Sequence, residues 1–159
     1  LEMKIYTFHR KQKLPISLSE AWEFLSNPKN LSVLTPTEMN FTIISKDEKP
    51  MYAGQVIQYS VTPIAGIKAT WISEITHLEE GKYFVDLQLY GPYAFWHHKH
   101  FIHEIDGGVE MEDIIDYKVP FGIFGRIFHP LLVRPKLEKI FSYRQNKLVE
   151  IFGKYLNNG

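Results

Sequence analysis

Gly91-Pro92-Tyr93-Ala94-Phe95-Trp96-His97-His98-Lys99-His100-Phe101 opens as a turn and continues as a strand. Gly-Pro is turn chemistry, and the residues after it suit a pleated sheet. Side chains alternate faces along a strand, so Trp96, His98 and His100 share one. Asp106-Gly107-Gly108 then separates this strand from a second one at 109–119. With a two-residue loop, residue 105 faces 108 or residue 106 faces 109. Both registers put Trp96, His98, His100 and Ile102 beside Met111, Asp113, Ile115 and Tyr117. The opposite face collects His97, Lys99, Phe101 and His103 with Glu110, Glu112, Ile114, Asp116 and Lys118, a mostly charged set suited to solvent. A one-residue bulge near the glycines would reverse the relation.

Further strands are predicted at 3–14, 39–46, 55–62, 68–77 and 83–89, divided by Gly, Pro and Asp punctuation. The short intervals favour a sequential antiparallel meander. Ser17-Leu18-Ser19-Glu20 is a capping box, followed by the helical stripe Leu18, Ala21, Trp22 and Leu25. Asn27-Pro28 restarts a short helix that stops before Pro36. The chain closes with a predicted helix at 135–156, whose apolar stripe is Leu137, Ile140, Phe141, Leu148, Ile151, Phe152 and Tyr155. The expected fold is therefore α+β: a curved seven-stranded antiparallel sheet around a long C-terminal helix, with two short helices after the first strand. One such helix against one sheet face can enclose a space, and part of that space left open is a cavity.

Composition sets outer bounds. At 159 residues the chain suits one domain, expected over 3–157. Leu1-Glu2, ahead of Met3, read as a cloning remnant. Eighteen basic and 18 acidic residues leave no net charge, so no field draws a polyanion and nucleic acid is not an expected partner. Cysteine is absent, which removes disulfides, thiolate catalysis and thiolate zinc sites and is compatible with the cytoplasm. No run reaches the 18 or so apolar residues of a spanning helix, so stable membrane insertion is not expected. There is no phosphate loop, dinucleotide fingerprint, nucleophile elbow or HExxH motif. The aromatic count of 11 Phe, 9 Tyr and 3 Trp suits a dense core or the lining of an apolar site.

Several pieces resemble the START-like helix-grip (SRPBCC) superfamily, and within it a polyketide cyclase/dehydrase-like bacterial branch of ligand-binding proteins. They are Asn30-Leu31-Ser32-Val33-Leu34-Thr35-Pro36; Gly91-Pro92-Tyr93 with Trp96, His98, His100 and Phe101; Asp113 and Tyr117; Pro120-Phe121-Gly122 with Gly125; and Phe141-Ser142-Tyr143-Arg144. The resemblance implies a cavity and often an apolar ligand. It implies no reaction, because one fold hosts carriers, enzymes and regulators.

The residues themselves leave alternatives. His98, His100 and Asp113 read either as a satisfied buried polar cluster or as the polar end of an apolar pocket. In the second reading Trp96, His98, His100, Asp113, Tyr117 and Arg144 contact ligand. Should the protein be an enzyme of cyclase, dehydratase or isomerase type, His98 or His100 moves the proton, Asp113 orients it, and Tyr117 donates to a ligand oxygen. His-x-His with Asp113 matches a two-His-one-carboxylate metal site in residue type, yet no fourth ligand is evident. Neither a metal nor a cofactor is expected. Arg144 falls within the apolar stripe of the last helix, its head in solvent or turned into the cavity. The segment 120–133 packs into the core or forms a cavity mouth at Phe121, Phe124 and Phe128. A weak membrane-surface role is a further reading of the segment, to which its one Arg and one His lend little attraction for anionic lipid. Three functions follow: binding of a small apolar or amphipathic molecule, the enzyme just described, or a noncatalytic partner protein acting through its surface. Ligand identity and oligomeric state are not readable.

Overall fold

Ser17 starts the first helix as its sequence dictates. The Glu20 N–H donates to Ser17 Oγ at 3.2 Å, and the Ser17 N–H donates to Glu20 Oε2 at 3.0 Å. Helix α1 then covers Leu18–Leu25. Asn27 accepts from the Lys29 N–H at 3.0 Å and caps the 3₁₀ turn Pro28–Asn30, which leads into α2 at Leu31–Leu34. The computed structural model describes residues 4–47, 49–64 and 66–156. Leu1-Glu2 and both ends of the expected 3–157 domain lie outside the described residues.

The strands are β1 (Tyr6–Leu14), β2 (Thr42–Ile43), β3 (Gln55–Ile64), β4 (Ile67–Glu79), β5 (Tyr83–Tyr90), β6 (Phe95–Ile105) and β7 (Gly108–Lys118). They form one antiparallel sheet in the order β1-β7-β6-β5-β4-β3-β2. The meander expected from the short intervals is present, and β1 closes it against β7. Ile105 faces Gly108, one of the two registers read from the sequence. Trp96 then faces Tyr117, His98 faces Ile115, and His100 faces Asp113, all with inward side chains. Register breaks between Val61 and Ile64, Ile72 and Ser73, and Ile75 and His77 bend the far half of the sheet, because a bulge adds local twist.

Two element boundaries differ from expectation. The strand predicted at 39–46 shrinks to Thr42–Ile43, because Thr37–Met39 forms a 3₁₀ turn and Asn40 takes a left-handed φ of 46°. Met39 is thereby buried against Phe8 and Trp71 in the core. The last helix begins 13 residues earlier than Pro135. Helix α3 (Gly122–Phe128) passes through a π turn at His129–Val133 into α4 (Arg134–Phe152). Prolines at 130 and 135 read as breakers, but the widened turn takes them. The Arg134 N–H reaches back five residues to the His129 carbonyl, which moves the backbone clear of the following ring. The helix also ends earlier, at Gly153, whose φ of 89° lets its N–H close on the Val149 carbonyl at 2.8 Å. Tyr155 lies past the helix, its hydroxyl donating to the Asp106 carbonyl at 2.6 Å.

Leu137, Phe141, Arg144 and Leu148 are the buried positions of α4, the i, i+4, i+7, i+11 face. Phe141 meets Phe8 of β1 at 4.8 Å between ring centres, and Leu148 packs with Leu14, Ile102, Val109 and Met111. Gln12 Nε2 donates to the Gln145 carbonyl at 2.9 Å, tying the helix to β1. Ile151, assigned to the stripe from sequence, is 42% exposed because it falls on the neighbouring face. Leu148→Ala should therefore lower the unfolding free energy by about 2–5 kcal/mol, and Ile151→Ala by no more than about 0.5 kcal/mol. Urea unfolding of the two variants checks this; equal losses would mean that α4 is rotated.

Candidate functional site

Between the inner face of the sheet and α4 lies a cavity of about 190 Å³. Its apolar wall comes from aromatic rings that β-strand alternation turns inward. Tyr59 of β3 stacks on Trp71 of β4 at 5.8 Å between centres, and Trp71 meets Trp96 of β6 edge to face at 5.3 Å. Tyr93, just after Gly91-Pro92, lies 4.7 Å from Trp96, and Phe141 and Leu137 close the helix side. Trp71 Nε1 donates to Ser73 Oγ at 3.0 Å, so the indole is fixed.

One end of this cavity is charged. Strand pairing sets Asp86 of β5 opposite His98, and His100 opposite Asp113 of β7, while Arg144 arrives from α4. His98 Nε2 is 2.9 Å from Asp113 Oδ1, and His100 Nε2 is 2.8 Å from Asp86 Oδ2. His100 Nδ1 also lies 3.0 Å from Asp113 Oδ1, near enough for charge attraction but out of line for a hydrogen bond, whereas His98 Nδ1 is 3.7 Å from Asp86. The two imidazoles are only 3.6 Å apart between centres, and Phe84 stacks on His100 at 4.1 Å. Arg144 Nη1 stands 3.6 Å from Asp113 Oδ1. Arg144 Nε is buried with no hydrogen-bond partner among the described residues.

With both carboxylates and the guanidinium charged, one proton over the two imidazoles brings the sum to zero, and the surroundings decide which ring it favours. Burial and the neighbouring charge of His100 push His98 down to about 4, only partly offset by the carboxylates. Burial also lowers His100, but Asp113 and Asp86 outweigh it, so its pKa lies above the usual 6.5. Burial raises Asp113, yet Arg144 and the two histidines hold it well below the ordinary carboxylate range. Asp86 is likewise held low by the histidines against its own burial. A proton shared by the pair therefore favours His100, which faces two carboxylates within 3.0 Å, over His98.

Of the residues singled out from sequence, Trp96, His98, His100 and Arg144 border the cavity. Asp113 sits behind the histidines. Tyr117 shares their face but is turned away from the cavity: its hydroxyl pairs with His129 Nε2 at 2.7 Å, and His129 is itself stacked on Tyr6. The π turn brings His129 over the end of β7, a juxtaposition that sequence spacing does not reveal. Phe121, Phe124 and Phe128 are not among the residues that line the cavity. They stand on the outer side of α3, 82, 67 and 50% exposed, because the helix starts at Gly122 and turns other residues inward. The sequence reading missed Asp86. Its signal was a lone acid at the parity of Phe84 in an apolar strand, but the β5–β6 register could not be counted through Gly91-Pro92. Asp86, rather than Asp113, joins His98 and His100 in a set of ligating atoms all within 4.8 Å of one another. Such a set could hold a divalent cation only by displacing the His100 proton.

No family model matches the sequence, and no curated protein matches it. Solved structures match the fold. A START superfamily protein from Mycobacterium smegmatis superposes with a TM-score of 0.67 at 11% identity, covering 91% of this chain and 98% of that one. A point mutant of norcoclaurine synthase from Thalictrum flavum, solved with a transition-state analogue, gives 0.66 at 14% identity, covering 95% and 98%. A protein from Chromobacterium violaceum gives 0.70 at 10% identity, covering 94% and 98%. The chain has the START-like helix-grip fold.

The two histidines affect stability in opposite pH windows. His98 is depressed, so its contribution is complete above 6.5 and is lost as pH falls from 6.5 towards 4. His100 is raised, so its contribution is complete below 6.5 and is lost as pH rises through its folded value. Urea unfolding across pH should show His98→Gln shrinking the acid-side loss and His100→Gln removing part of the alkaline-side loss. The reverse pattern would exchange the proton between the two.

Proposed function

We propose that the protein binds a small amphipathic molecule in this cavity, with an apolar ring among the tryptophans and an oxygen-bearing head at His98, His100 and Arg144. The observation that carries the reading is the Arg144 Nε, a buried donor without a partner at the charged end of an otherwise aromatic cavity. A buried unsatisfied donor is costly, and an acceptor on a ligand would relieve it. The volume argues for size. A cavity of about 150 Å³ takes a benzene ring, so 190 Å³ suits one ring with a short substituent rather than a long acyl chain. It also exceeds the room of a few waters, which supports binding over a filled core with a purely surface role. START-like proteins among the fold neighbours support the same reading.

A second reading rests on the shared proton. His100 protonated beside neutral His98 is an acid and a base 3.6 Å apart between ring centres at the cavity edge. That pairing suits a cyclase, dehydratase or isomerase step, with Asp86 and Asp113 as positioning residues. The synthase among the fold neighbours supports it. In an enzyme, His98→Gln and His100→Gln should lower turnover by about two to four powers of ten with little change in affinity.

Trp71 and Trp96 line the cavity and report binding by fluorescence. Single-ring carboxylic acids such as benzoate and cinnamate, with their neutral amides, should quench it. Arg144→Met should weaken the acids at least tenfold and the amides far less, because only the acids form an ion pair with the guanidinium. Quenching that is absent for the whole series, or insensitive to Arg144→Met, would contradict the proposal.

A further inference from the structure

Helix α3 is inside out. Phe121 before it, Ile123 and Phe124 in its first turn, and Ile127 and Phe128 in its second are all exposed. Leu131 and Leu132 of the π turn continue the series at 69 and 52%. The buried positions are His129 and Val133, with Gly125 and Arg126 half-buried at the edge of the exposed face. Gly125 sits so close to the Pro120 carbonyl that no Cβ fits, which holds the helix in this orientation. Phe121 adopts a left-handed φ of 66°, a strained choice for a bulky residue, and this holds its ring out in solvent.

Strand register places more apolar surface at the same end. Tyr6 faces Tyr117, Phe95 faces Lys118, Tyr90 faces Ile72, and Ile64 faces Ile67. The start of β1, the β5–β6 turn and the β3–β4 tip therefore gather where β7 runs into α3. Ile5, Ile67 and Tyr90 are exposed there at 58, 69 and 64%. The charge at this end is mainly positive, although Arg134 is taken up by Glu138 at 3.0 Å. From 117 to 137 the sequence contains Lys118, Arg126, Arg134 and Lys136 and no Asp or Glu. Adjacent carboxylates are already paired: Asp116 with Lys99 at 2.8 Å, Glu38 with Lys139 at 2.7 Å, and Glu138 with Arg134 at 3.0 Å.

We infer that this end of the molecule docks on a lipid bilayer with anionic headgroups, the outer side of α3 entering the interface. A contiguous apolar patch beside basic side chains is what such a surface recognises. A second copy is disfavoured, because self-docking would bring two like-charged rims together. The same end carries Pro63, Tyr93 and Lys136 of the cavity lining, so docking sets the cavity next to the lipid.

The test is co-sedimentation of the whole chain with phosphatidylcholine vesicles, with and without phosphatidylglycerol, at low and high salt. The protein should pellet with the anionic vesicles and be released by salt. Phe124→Asp, a change at an exposed site that leaves the fold intact by circular dichroism, should reduce partition tenfold or more. Arg126→Gln should reduce it about fivefold on anionic vesicles only. Protein left in the supernatant of both vesicle types would overturn the inference. So would a concentration-dependent dimer, seen by light scattering, that Phe124→Asp abolishes, since that would assign the patch to a second copy.

Discussion

The zero-sum charge of Asp86, Asp113, Arg144 and one protonated imidazole is the constraint to which the rest of the inner structure conforms. Each member would be prohibitive alone in a buried aromatic setting, because an isolated ion loses several kcal/mol of hydration. Together they balance only if β5, β6, β7 and α4 keep their relative positions. A one-residue slip of β6 against β7 would turn His98 and His100 to the solvent face and leave Asp86 and Asp113 without their imidazoles. The cluster therefore specifies register as well as holding charge.

The geometry of the sheet serves the same end. Near the β6–β7 hairpin the pairing is unbroken for eleven residues, and the helix packs directly on it through Leu148 and Phe141. On the other side, the irregularities in β3, β4 and β5 bend the strands. The cavity lies between α4 and that far half, walled by rings from β3 and β4. Rigid pairing fixes the polar end, and curvature leaves the room.

Much of this was legible because two periodicities carry it. Alternation along 95–105 and 109–119, with a turn short enough to count through, places His98, His100 and Asp113 on one buried face from sequence alone. The capping box at Ser17 marked α1 without ambiguity. What escaped depends on geometry that spacing does not encode. Asp86 needed the register across Gly91-Pro92. Tyr117 was read as a ligand contact because parity gives the face of a side chain but not the partner already waiting for it, here His129. The helix was started at Pro135 because local proline rules take no account of a π turn. The continuous helix likewise carries Phe121, Phe124 and Phe128 to its outer side, away from the lining of the cavity.

The central claim is that the charged cluster is the recognition end of the cavity and not a sealed structural network. Its most direct test is the ¹⁵N resonances of the His98 and His100 imidazoles in protein saturated with a small ring ligand, with occupancy established by quenching of Trp71 and Trp96. The account predicts that both imidazoles shift on saturation and that the proton on His100 moves or strengthens its hold. A ligand that fills the cavity and leaves both imidazoles unperturbed would contradict it.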